Sequence, residues 1–451
     1  MAGSLTNSSL LAPLFSDAEV AEQFSDAQFV RFMLDIESAL AVAQGRLGVI
    51  PAEVANRIVD IAAKLDVDFD RLREGVEKSG VPGIELVRQL REQVGREDAD
   101  YVHWGATSQD IVDSARVLQI RAALTIFESR LGSLIKNLSR LADQHRHTLM
   151  AGRTHSQQAL PITFGFKVAG WLAPLLRHRE RLAELRPRIL VVQFGGAVGT
   201  LAALGESGPR VQEALAAELK LNLLPIPWHT QRDSMAELAG WLSLVTGSLA
   251  KMAQDVILLA QSEVGELRES GDVSRGGSSS MPQKNNPILS ELIITAARTN
   301  ASLLASMHQA QVQEHERATH GWQMEWLALP QMFTLTAGAL KKALFLSETM
   351  VVDEERMLKN VADSNGLMLA EAASYALTKT SMSKASASQL VKEACQVAAQ
   401  EDRHLIDVLR EKTDVPVDWV ALREESAYLG SADVFIDRVI QASARNEVDH
   451  A

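Results

Sequence analysis

Apolar residues recur at helical spacing along most of the chain. From Phe29, the residues Met33, Ile36, Leu40, Ala43 and Leu47 fall three or four positions apart, on one helical face, until Pro51 intervenes. Between Ala236 and Leu267 the text AELAGWLSLVTGSLAKMAQDVILLAQSEVGEL holds no proline. A single helix of that length would run about 45 Å at about 1.5 Å per residue. Its apolar residues wrap most of the circumference, a pattern that belongs inside a bundle or an oligomer. Long helical patterns also cover Asp113 to His145, Ile288 to Val312 and Leu327 to Met350. These segments predict a central bundle of long antiparallel helices over residues 111–352. Beyond it the pattern shortens into helices broken at DSNG, TDVPVD and YLGSAD, which predicts a C-terminal helical domain over 353–451. Residues 1–110 read as a separate N-terminal helical domain.

Composition sharpens this to an all-α expectation. The chain has 451 residues, and Gly 27 and Pro 13 fall below average usage while β-branched alternation is scarce. Lys and Arg number 45 against 57 Asp and Glu, a formal charge of -12, so the global field repels nucleic acid and anionic membranes. Neither is expected as a partner. Cys395 is the only cysteine, which excludes an internal disulfide and a cysteine-rich metal site and fits a reducing cytoplasm. The N-terminal text lacks a basic region followed by a sustained apolar run, and no segment reaches about 18 uninterrupted apolar residues. No signal peptide and no membrane span are expected.

Three polar, glycine-marked stretches interrupt the helical text: YVHWGATSQD (101–110), AGRTHSQQALPITFG (151–165) and GDVSRGGSSSMPQKNNPILSE (271–291). In the third, Gly276 and Gly277 give mobility and the serines that follow supply hydroxyls, the composition of a closing lid. Asn286 before Pro287 reads as an N-cap with proline at the first helical position. The positive end of that helix and Lys284 together predict an anion site suited to a carboxylate. Such a site fits acyl transfer through a serine ester, or proton transfer next to a carboxylate. The first normally shows G-x-S-x-G, which is absent; the second needs a base on a closing element and donors for the developing charge, and the loop has both. In the second stretch His155 sits beside Thr154 and Gln157, with Arg153 two residues before it, and can orient substrate or move a proton. In the first, His103, Thr107 and Ser108 precede a helix that Asp110 helps start, and are expected to hold substrate oxygens. FGGAVG (194–199) lacks the Gly-Lys-Ser/Thr ending of a phosphate loop and reads as a packing turn. His145 and His147 lack a supporting carboxylate or cysteine cluster. No metal and no organic cofactor are expected.

Gly277, Ser278, Ser279, Met281, Pro282, Lys284 and Asn286 match G-S-S-x-M-P-x-K-x-N, and the chain resembles the fumarase/aspartase superfamily along nearly its whole length. HWGATSQD and GRTHSQQALPIT resemble its other two active-site segments in the same order. PWHTQRD (227–233), QEHER (313–317) and GWQMEW (321–326) look most like the branch of 3-carboxy-cis,cis-muconate cycloisomerase. The resemblance implies a three-domain, all-α homotetramer with a helical core, whose active sites each draw segments from three subunits. It also implies a small dicarboxylate or tricarboxylate substrate. It makes Ser278 the base, with Ser279 its close rival. It implies that Lys284 and Asn286 stabilise an aci-carboxylate intermediate. It implies that Thr107, Ser108, Thr154, Gln157 and Arg317 bind substrate, and His103, Arg153 and Met281 are expected to stand with them. His155 and Glu291 occupy positions where eliminating members carry a histidine and the glutamate that polarises it; the cycloisomerases commonly have tryptophan and a small apolar residue there. This pair directs the functional expectation to a lyase that removes the proton beside a carboxylate and expels an amine from an N-substituted aspartate, giving fumarate. The alternative is the lactonising cycloisomerase of aromatic degradation.

Overall fold

The computed structural model describes residues 8, 10–270, 276–277, 280–281, 284–317, 319–380 and 382–448. Among these the fold is all-α, built on Ser108–Gln144, Phe164–Ile189, Asp233–Leu259, Ile288–Gln309 and His320–Thr349, with shorter helices on either side in sequence and two small two-stranded sheets.

Two of the expected long helices have different ends. The apolar run from Ala236 stops as a helix at Leu259, because Gly265 turns the chain with φ of 65° and the Glu266 amide donates back to the Leu259 carbonyl. Leu267–Arg268 then pairs antiparallel with Val351–Val352. The run expected from Leu327 starts earlier, at His320, and continues through Pro330, whose missing amide does not break it.

The described residues fall into two compact units. The first comprises Met1–Arg130, His178–Gly247 and Thr295–Lys341. Its helix Asp26–Arg46 is capped by Ser25, whose hydroxyl accepts from the Gln28 amide, and buries Met33, Ile36, Leu40 and Ala43, the face expected from spacing. Phe333 lies 5.0 Å from Phe24 and 5.6 Å from Phe127 between ring centres. In the same unit Asn300 donates to Thr336 at 2.9 Å and to Thr246 at 3.4 Å, a buried polar link between three long helices. Asp233–Leu259 is long and apolar enough to cross a bilayer by length and composition, with half of its most apolar window buried inside the protein. Hydrogen-bonded Thr246 on it marks a helix packed against protein.

The second unit comprises Leu131–Arg177, Ser248–Ile294 and Lys342–Ala451. Its helices Ala370–Thr378, Lys384–Glu401 and Leu405–Lys412 enclose a core of Leu377, Ala387, Val391, Ala394, Leu405 and Leu409.

Candidate active site

In the first unit, the HWGATSQD segment enters the helix Ser108–Gln144 through a reciprocal cap. The Asp110 amide donates to the Thr107 carbonyl, and the Asp110 carboxylate accepts from the Thr107 amide, both at 3.0 Å. Asp110 is fully buried and also accepts from the amides of Gly195 and Gly196, each at 2.9 Å, and from Gln193 Nε2 at 3.2 Å; His229 Nε2 lies 2.8 Å from its Oδ1. The glycine turn of FGGAVG therefore does bind an anion, and that anion is the protein's own carboxylate. Arg317 donates from Nη1 to Thr107 Oγ1 at 2.7 Å and to the Ala197 carbonyl at 3.2 Å. Two residues expected to bind substrate, Thr107 and Arg317, thus meet. Ser108 lies beside them and packs over Gly83, where an added Cβ would come within 3.2 Å of the Ser108 Cβ.

Behind this group lies a buried ion network drawn from PWHTQRD and GWQMEW. Arg232 donates to Asp113 at 2.8 and 3.2 Å and to Glu325 at 2.8 and 2.5 Å. Its guanidinium sits 4.6 Å from the Trp228 ring centre, and Trp322 Nε1 donates to Asp113 at 2.8 Å. Burial works against the charge of Arg232, but Asp113 and Glu325 hold it above the ordinary arginine range. Gln109 joins the network to the Asp110 site by donating to both Asp113 and the His229 carbonyl.

In the second unit, AGRTHSQQALPIT folds as a β-hairpin of Leu149–Thr154 and Gln157–Thr163, with Thr154 paired to Gln157. His155 and Ser156 form its tip with φ of 48° and 62°, the two left-handed residues of a tight hairpin turn. Thr154, His155 and Gln157 are exposed there. Arg153 faces elsewhere: its guanidinium makes a two-pronged pair with fully buried Glu266 at 2.7 and 2.9 Å, and Asn360 Nδ2 donates to the same carboxylate. This pair anchors the hairpin and engages the arginine fork on protein.

Ser278 and Ser279 lie outside the described residues. The stem of their loop is described: Gly277 bridges Asn285, and the backbone and side-chain amides of Asn286 both donate to the Gly276 carbonyl at 2.9 Å. Gly276 has φ of 70°, and an added Cβ would fall 2.3 Å from the Asn286 carbonyl oxygen, so only glycine closes this stem. Met281 and Lys284 are exposed.

The expected cap and anion site take another form. Asn286 uses its side chain on Gly276, and the first amides of Ile288–Gln309, those of Leu289 and Ser290, donate to the Glu269 carboxylate at 3.0 and 2.6 Å. The helix dipole already holds a carboxylate, and Lys284 stands exposed at the loop. Glu291 is exposed on the first turn of that helix. Among the described residues no cluster of three metal-ligating side chains occurs. His145, from the HRH pair, lies 3.1 Å from both Thr148 Oγ1 and a Glu354 carboxylate oxygen.

Sequence reading gave Asp110 only a helix-starting role and gave none to His229, Glu266 or Glu269. The signal for Asp110 was its place three residues after Thr107, the spacing of a capping box.

A lyase family profile matches residues 16–299, and an adenylosuccinate lyase C-terminus profile matches residues 366–439. The chain belongs to this lyase family and has the fumarase/aspartase superfamily fold. It is 45% identical to the 3-carboxy-cis,cis-muconate cycloisomerase of Pseudomonas aeruginosa over 94% of each chain. It is 41% identical to the enzyme of that name from Acinetobacter baylyi, over 96% of this chain and 98% of the other. The crystal structure of 3-carboxy-cis,cis-muconate lactonizing enzyme from Pseudomonas putida matches with a TM-score of 0.92 and 41% identity, covering 97% of this chain and 99% of that one. These likenesses overturn the expectation of amine elimination to fumarate. That expectation leaned on two side chains, His155 and Glu291, against the text of nearly the whole chain.

Proposed function

We propose that this protein is a lactonising cycloisomerase acting on 3-carboxy-cis,cis-muconate. The observation that carries the reading is the likeness to cycloisomerases of that name over 94% or more of the chain. The lyase fold suits this chemistry because addition and elimination next to a carboxylate share one intermediate. A carboxylate oxygen of the substrate forms a C–O bond to the alkene carbon β to a second carboxylate. The π pair moves into that carboxylate to give an aci-carboxylate, and a proton then joins its α-carbon. Nothing leaves, so atoms balance as an isomerisation.

Ser278, with Ser279 as its rival, is proposed as the acid that delivers the proton. This is the reverse of the abstraction that the same loop would perform in an elimination. Lys284 and Asn286 are proposed to hold the aci-carboxylate, since a fixed cation and amide stabilise charge that grows during reaction. Thr107, Ser108, Thr154, Gln157 and Arg317 are proposed to bind the remaining carboxylates, with His103, His155 and Met281 beside them. A homotetramer is proposed as the working form. Exposed apolar side chains on the long helices support it: Leu244 is 51% exposed, Leu258 44% and Leu327 70%.

The test is to incubate the purified protein with 3-carboxy-cis,cis-muconate and follow the conjugated diene by ultraviolet absorbance and the product by NMR. One lactone per substrate consumed, with no second product, is expected. Substrate left unchanged would overturn the reading.

A further inference from the structure

Glu37 is a buried acid in the middle of the apolar face of Asp26–Arg46, with 1% of its side chain exposed. A carboxylate in such a place is costly unless it is paired. Its partner comes from 66 positions away: His103 Nδ1 lies 2.6 Å from Glu37 Oε1. Seven residues further along the same helix, buried Gln44 donates from Nε2 to the Trp104 carbonyl at 2.7 Å. Two polar side chains two turns apart therefore clasp consecutive residues of the HWGATSQD segment. The backbone at His103 is left-handed, with φ of 65°, a conformation a non-glycine residue holds only when its surroundings fix it.

The two partners are not equally placed. His103 keeps 14% of its side chain exposed, whereas Glu37 is sealed. Among the described residues His103 Nε2 has no hydrogen-bond partner, while Nδ1 is taken by Glu37. We propose that Glu37 is a positioning residue: it turns Nδ1 of His103 inward so that Nε2 is presented as a charged donor to a substrate carboxylate. The substrate class rests on the lactonising reading given above.

A doubly protonated ring is needed for both nitrogens to donate. Burial alone would lower the histidine, but Glu37, with help from Asp110, outweighs both burial and the opposing Arg91 and holds His103 above its ordinary value. The stability this pair contributes is therefore full below the pH at which free histidine titrates. It is lost as pH rises through the higher folded value.

The experiment compares wild type, Glu37→Gln and His103→Asn as full chains. The His103 ring is followed by NMR with labelled histidine, assigned by the His103→Asn spectrum, and kcat/KM for 3-carboxy-cis,cis-muconate is measured across pH. In Glu37→Gln the ring should titrate at lower pH than in wild type, and the alkaline limb of kcat/KM should move with it. The loss should be larger at alkaline than at acid pH, and it should appear mainly in KM. Adding Glu37→Gln to His103→Asn should cost little more than His103→Asn alone. An unmoved ring titration, or a Glu37→Gln effect that persists in full without His103, overturns the proposal. If the protein leaves the muconate untouched, the lactonising reading fails and the ring titration still decides the role of Glu37. Should Glu37→Gln not fold, Glu37→Asp draws the charge back by one methylene and must also shift the titration, or the proposal falls.

Discussion

Loss of Arg232 should cost the fold heavily, because its guanidinium forms ion pairs with two buried carboxylates, those of Asp113 and Glu325. Replacing it with methionine keeps the volume but leaves like charges facing each other without solvent. A buried pair broken on one side costs about 3–5 kcal/mol. Urea unfolding of Arg232→Met should show a loss of that order, and a loss under about 1 kcal/mol would mean the network is not held as described. At Ser278 the expectation is the opposite: Ser278→Ala should abolish turnover and leave the melting temperature unchanged. If Ser278→Ala turns over normally while Ser279→Ala does not, the proton passes to the neighbouring hydroxyl. The polar residues that sequence exposed most clearly, such as Thr107 and Lys284, sit in helix-breaking text. Glu37, Asp110 and Glu269 were harder to read because each is defined by a partner remote in sequence or by the turn it closes. Nothing in a helical stripe of Met33, Ile36 and Leu40 says which distant histidine a buried Glu37 will meet.

At the scale of elements, apolar periodicity located the long helices but not where they stop. Burial of one face is written locally, whereas the end at Leu259 depends on Gly265 and on a strand pairing with residues 351–352. The hairpin tip was equally hidden, since His155 and Ser156 take up left-handed backbone without the glycine or asparagine that usually announces such a turn. The serine loop was legible through its glycines, and its stem gives a sharp test. Gly276→Ala places a methyl group against the Asn286 carbonyl in a backbone conformation that disfavours it. Activity should fall at least about a hundredfold, because small misplacements of a catalytic segment are this costly. Far-ultraviolet circular dichroism should stay unchanged. Wild-type activity in this variant would show that closure of the stem is not needed for catalysis.

For the whole molecule, Thr107, Ser108 and Arg317 belong to one compact unit, while the hairpin tip and the serine-loop stem belong to the other. The proposed tetramer supplies such segments from different copies, which can be tested by complementation. Thr107→Val and Lys284→Ala, each inactive alone, should regain activity when unfolded together and refolded as mixed assemblies. No regain, or a monomer of 49.2 kDa that is fully active by light scattering and assay, would remove the shared site. The superfamily was legible in the serine-loop motif. The reaction was misread because His155 and Glu291 were given more weight than the text of the whole chain.

The central claim is that this chain closes a lactone by addition and then protonates an aci-carboxylate. The most direct measurement is turnover of 3-carboxy-cis,cis-muconate in deuterated water, followed by proton and carbon NMR of the product. The account expects a lactone carrying one deuterium on the carbon next to the carboxylate that took up the electron pair, placed on a single face. A failure to form lactone, or a lactone formed without deuterium at that carbon, would contradict it.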